Sequence, residues 1–75
     1  MMAKRVDIPD AGFGFADIAV VVDGEVIRTF NSLSDDYALT NANAYVRSVN
    51  DLIARGDYTH TPMRNADGSI YKLEA

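Results

Sequence analysis

Asp23-Gly24 stands between two apolar-rich runs, residues 15–22 and 25–30, and no other feature constrains the fold as much. A tight type I′ turn needs positive φ at both central residues, which Asp-Gly tolerates well. Ile18, Val20, Val21 and Val22 are β-branched and suit a pleated surface. The pattern predicts a β-hairpin. A two-residue turn would set Val20 opposite Ile27 and Ile18 opposite Thr29. Val21 and Val26 would then share the other face with Ala19 and Arg28. A three-residue turn bulged at Gly24 would instead pair Val20 with Val26, so the register stays open. In both cases valine lies on both faces. A helix can cover one. A second subunit, a partner or the N-terminal arm is needed for the other.

The helix follows. Asn31-Ser32-Leu33-Ser34-Asp35-Asp36 reads as its entrance, with Ser34 as N-cap and Asp35 and Asp36 complementing the helix dipole. Ala38, Ala42, Tyr45, Val46, Val49, Leu52 and Ile53 recur at helical spacing and form the core stripe. Asn43, Arg47, Ser48, Asn50, Asp51 and Arg55 take the opposite face. Thr40, Asn41 and Asn43 are weak helix formers, which allows a separate first turn with the main helix starting near Thr40. Gly56 is placed to end it.

The flanks are less regular. Residues 1–14 read as an N-terminal arm, broken by Pro9 and by Gly12 and Gly14, with Phe13 and Phe15 available to pin it to the core. Val6 and Ile8 could alternate inward as a short edge strand. Residues 15–75 form the single α+β domain. In the tail, residues 58–61 and 70–73 have strand composition around an Asn65-Ala66-Asp67-Gly68 turn, and Pro62 confines the first to an edge. The expected architecture is ββαββ: a hairpin, one amphipathic helix and a C-terminal hairpin, the helix packed on a small antiparallel sheet.

Seventy-five residues make one domain, and a chain of this size buries only roughly 60% of its unfolded surface. There is no cysteine, so neither disulfides nor thiolate metal sites supplement the core. A homodimer through the hairpin's second face or an edge strand is therefore expected. The net charge of −4 and the scattered basic residues argue against nucleic-acid binding. No apolar run approaches the roughly 20 residues of a membrane span, and the first residues lack a secretory signal, so a cytoplasmic location is expected.

Candidate chemistry is sparse. His60 is the sole histidine and reads as a surface strand residue. Asp35-Asp36 reads as a dipole complement, and no spaced-ligand calcium loop occurs. Gly12-Phe13-Gly14 lacks the lysine of a P-loop and the third glycine of a dinucleotide turn. Tyr37, Tyr45, Tyr58 and Tyr71 could form a stacking platform, but without a positive groove they read as core and rim residues. The acids are too interspersed with bases to mimic a phosphate array. No cofactor and no catalytic residue is assigned.

Residues 28–38, Arg-Thr-Phe-Asn-Ser-Leu-Ser-Asp-Asp-Tyr-Ala, follow directly on the Asp-Gly hairpin. In size and layout this stretch, within residues 18–56, resembles the small accessory proteins common in bacteriophage and prophage genomes. The resemblance implies a binder of host or defence proteins, in some cases an inhibitor of the anti-CRISPR or anti-restriction kind. The reading is a non-enzymatic protein-binding module, with Tyr58, Tyr71, Val21 and Val26 as contact residues. A small nucleic-acid-binding regulator using Lys4-Arg5 is the alternative. A dimeric small-ligand binder is the third.

Overall fold

The computed structural model describes residues 1–8 and 16–73. Three antiparallel strands, β1 (Ala3–Asp7), β2 (Ile18–Val22) and β3 (Glu25–Phe30), form one sheet in the order β1-β2-β3. One helix, α1 (Ala38–Arg55), packs against all three. The architecture is α+β, as the sequence predicts. No helix of the described residues is long and apolar enough to cross a membrane.

The Asp-Gly turn forms as its chemistry dictates. Asp23 has φ 53° and Gly24 has φ 78°, and Val22 pairs with Glu25 across them. The two-residue register holds only through the next pair, and the register bulged at Gly24, with Val20 opposite Val26, does not form. Val21 pairs with Val26, and then the ladder slips, so that Val20 meets Arg28 and Ile18 meets Phe30. Ile27 is the extra residue of a β-bulge. The bulge turns Arg28 onto the helix side, where its guanidinium lies 4.8 Å from the Phe30 ring centroid and 5.2 Å from that of Tyr45. Arg28 therefore does not join Val21 and Val26 on the other face. Phe30 and Tyr45 meet edge to face, 6.4 Å apart.

Every residue of β2 is buried. On the helix side Ile18, Val20 and Val22 pack with Ala3, Phe30, Ala38, Ala42 and Val49, and Ile27, Tyr45, Val46, Ile53 and Tyr58 close over them. On the far side Ala19, Val21 and Val26 pack with Val6, Ile8, Tyr71 and Leu73. The second face is thus covered by this chain's own β1 and C-terminal tail. Of the predicted core, Ile18, Val20 and Val49 are buried, while Ile27, Val46, Leu52 and Ile53 are half-buried.

The first residues are partly a strand. Ala3–Asp7 pair along β2 from Ala3↔Val22 to Asp7↔Ile18. Asn50 of α1 fixes the start of this edge. Its side chain accepts from the Ala3 N–H at 2.6 Å and donates to the Ala3 carbonyl at 3.1 Å. The expected role of Gly12, Phe13, Gly14 and Phe15 lies outside the described residues.

The helix entrance differs from expectation. Ser34 is not the N-cap. Asn31 collects its own turn: its carbonyl accepts from Ser34 and Asp35, and its side chain accepts from Leu33. The N-cap is Tyr37, with φ 55° and no side-chain cap, and the first helical turn holds no acid. The helix starts at Ala38, two residues before Thr40. Its C-terminus is as predicted. Gly56, at φ 76°, donates to Ile53, and Asp57 donates to Leu52, a Schellman closure.

No second hairpin of strands is present among the described residues; the ββαββ expectation is corrected to βββα with an irregular tail. The tail makes isolated bridges, Arg64 with Ile70 and Lys72 with Glu25. Its backbone folds on itself, Tyr71 donating to Met63 and Asn65 to Ser69, and also bonds to the outer edge of β3. Val26 donates to the Tyr71 carbonyl at 2.9 Å and accepts from Met63 at 2.7 Å, and Leu73 donates to Gly24 at 2.9 Å. Burying an edge demands such partners, because an unpaired buried amide costs about 1–3 kcal/mol.

Candidate functional site

The loop between β3 and α1 and the first turn of α1 carry the most exposed large apolar and aromatic side chains of the described residues outside the terminal methionines. Leu33 is 72% exposed, Tyr37 81% and Leu39 50%. They are held outward by a hydrogen-bonded frame. Asp35 accepts from the Asn31 N–H at 2.7 Å, closing the Asn31 turn from its other end. Asp17, just ahead of β2, accepts from the Ser32 N–H at 2.9 Å, and the Ser32 hydroxyl donates to its second carboxylate oxygen. The Ser32 hydroxyl and N–H hold the Asp17 carboxyl below its ordinary range. Asn41 ties the loop to the helix, its side chain donating to the Asp36 carbonyl at 3.2 Å and its N–H to Tyr37 at 2.8 Å.

Tyr37 occupies the left-handed region, which a residue with a Cβ enters at a cost of about 1–2 kcal/mol. The backbone strain is local and the side chain gains little burial from it. Strain of this kind clusters where geometry serves a contact. Beside the loop runs an open groove of about 500 Å³, floored by Ile8, Ile18 and Leu39 and rimmed by Asp7, Asp17 and Ser32. The arrangement offers apolar anchors on a stiff frame with carboxylates at the margin.

A second constellation joins the tail to the sheet. The Tyr58 hydroxyl lies 2.8 Å from His60 Nδ1, and His60 Nε2 lies 2.7 Å from Glu25 Oε1. The carboxylate assigns the imidazole proton to Nε2, so Nδ1 accepts from the phenol. The order of groups is that of a nucleophile, a base and an orienting acid. Burial, helped by the negative fields of neighbouring groups, pushes the Tyr58 phenol up from its ordinary value, which keeps it protonated and a weak nucleophile. The groove described above is lined by other residues. What this chain of bonds accomplishes here is to fasten the tail to β3. His60 is accordingly half-buried and paired, not a surface strand residue.

The four contact residues expected from sequence fall elsewhere. Val21 and Val26 are fully buried beneath Tyr71 and Leu73 and present no side-chain surface, which corrects their assignment. Tyr58 and Tyr71 are half-buried in the tail and lie against opposite faces of the sheet, not beside each other. A sequence signal for the loop does exist: Leu33 lies off the core stripe, and Tyr37 precedes it. Among the described residues no group of three metal-ligating side chains gathers.

No protein-family model, curated protein or solved structure matches this chain.

Proposed function

We propose that this chain is a non-enzymatic protein-binding module whose contact surface centres on Leu33, Tyr37 and Leu39. The observation that carries the reading is the combination of exposure and rigidity at this loop. Large side chains face solvent while the backbone beneath them is bonded at Asn31, Ser32, Asp35 and Asn41. A pre-organised surface loses less entropy on binding, and aromatic anchors carry much of the energy at interfaces. Asp7, Asp17, Asp35 and Asp36 favour a partner with a basic margin around an apolar centre. In the setting that the phage-type resemblance implies, the partner is a host or defence protein and the chain its inhibitor or modulator.

The test places a photo-crosslinking residue at position 37 and captures partners from host cells, beside a Leu33→Ser/Tyr37→Ser double variant with a native melting curve. Crosslinking from position 37 together with loss of capture in the double variant supports the reading. Undiminished capture by the double variant would move the surface elsewhere.

A further inference from the structure

The sheet has two edges, and they are treated differently. The outer edge of β3 is bonded to the tail through Val26. The outer edge of β1 is bonded at Ala3 alone, by Asn50, among the described residues. In an antiparallel ladder successive residues alternate between facing the partner and facing away. The Ile8 N–H donates to the Asp17 carbonyl, so Lys4, Val6 and Ile8 address β2, and Ala3, Arg5 and Asp7 address the outside. With Ala3 engaged, the backbone groups of Arg5 and Asp7 are the ones left open along this edge, among the described residues.

We infer that this edge joins β1 of a second copy of the chain, antiparallel about a two-fold axis at Val6, making one continuous six-stranded sheet. The register follows by elimination. Pairing Arg5 with Arg5 would oppose like charges and would need Ala3, which Asn50 holds. Pairing Asp7 with Asp7 also opposes like charges. Pairing Arg5 with the second copy's Asp7, and Asp7 with its Arg5, uses both open residues of each copy and gives four backbone hydrogen bonds. It also sets unlike charges directly opposite, a favourable cross-strand arrangement. The side chains are ready for it. The Arg5 guanidinium is steered along the strand by its own Asp7 at 3.0 Å and by Asn43 at 3.1 Å. On the far face, Val6 of one copy meets Val6 of the other at a close non-hydrogen-bonded pair, and the two tail-covered clusters become continuous. This edge shares only Asp7 with the margin of the Leu33–Tyr37 surface, and the inference does not rest on the function proposed there.

Charge exchange at two positions tests the register. Sedimentation equilibrium over 1–100 µM, roughly the range where weak dimers of this kind resolve, should give the wild type about twice its 8.2 kDa monomer mass. Arg5→Asp and Asp7→Arg, each checked for a native melting curve, should sediment as monomers, because each sets like charges against like. An equimolar mixture of the two variants should recover the dimer mass. In the mixed dimer one β1 carries carboxylates at both positions and the other carries guanidinium groups at both, so each pair across the edge joins unlike charges. A purely internal role for the Arg5–Asp7 pair cannot produce recovery on mixing. A monomeric wild type, a dimer in either single variant, or no recovery on mixing overturns the inference.

Discussion

Tyr37→Gly isolates the backbone strain at the helix entrance. Tyr37 holds φ at 55°, and relief of a left-handed non-glycine residue is worth about 1.5 kcal/mol. Against this stand two losses. The side chain is 81% exposed, so the covered fifth of a large side chain worth about 2 kcal/mol forfeits about 0.4. Glycine also frees the unfolded chain, at a cost of about 0.8 kcal/mol. The balance is a gain of about 0.3 kcal/mol, or a rise of about 1–2 °C in melting temperature for a domain of this size. Leu39→Gly, two residues on and half-exposed inside the helix, supplies the contrast. It combines about 1 kcal/mol of helix propensity with about 1 kcal/mol of lost burial, so its melting temperature should fall by about 8–16 °C. Calorimetry of the two variants under one buffer decides the matter. A fall for Tyr37→Gly comparable to that for Leu39→Gly would show that Tyr37 is a packing residue, and the account of its strain would fail. Binding should respond oppositely to stability: Tyr37→Gly loses partner affinity while the fold holds.

Val49→Asp should abolish cooperative unfolding, because Val49 is buried between α1 and β2 and no described partner awaits a carboxylate there; circular dichroism with temperature reads this out. Glu25→Gln and His60→Ala should leave the helix signal intact but speed amide exchange in residues 57–73, since they unfasten the tail at its first tie; unchanged protection would show that Tyr71 and Leu73 suffice. Asp17 titrates below its ordinary 3.8 in the folded state, so its bonds to Ser32 stabilise fully above that value and are lost as pH falls through the folded one. Asp17→Asn should therefore flatten the stability profile below about pH 4 while leaving its shape near neutrality unchanged, as measured by urea midpoints across pH.

What was legible in the sequence is what is decided locally. The Asp-Gly turn, the helix stripe and the Gly56 closure depend on residues within a few positions of one another, and all three appear. The register did not, because the slip at Ile27 answers to the packing of Arg28 on Phe30 and Tyr45, the latter contributed by the helix. β1 was obscured by its charges: Lys4, Arg5 and Asp7 look like an arm until Ala3 and Val6 are seen to face opposite clusters. The tail misled in the other direction. Its strand-like composition is real, but its backbone divides its bonds between β3 and itself, and only isolated bridges result. Glu25 and His60 are 35 positions apart, a separation that no local pattern reports. Ser34 is no cap because the helix begins only at Ala38, and the Ser34 amide closes a separate turn on Asn31.

Burying β2 on both sides has a consequence in time. Ile18-Ala19-Val20-Val21-Val22 carries no charge and no proline, a composition prone to cross-β association when uncovered. The cover over Val21 includes Tyr71, 50 residues further along the chain. At roughly 5–20 residues per second, a ribosome makes that cover about 3–10 s after the strand. During that interval the hairpin and helix can meet, but one side of the sheet faces solvent or a chaperone. Expression yield should therefore depend on the tail more steeply than equilibrium stability does, and lesions at Tyr71 or Leu73 should appear first as inclusion bodies.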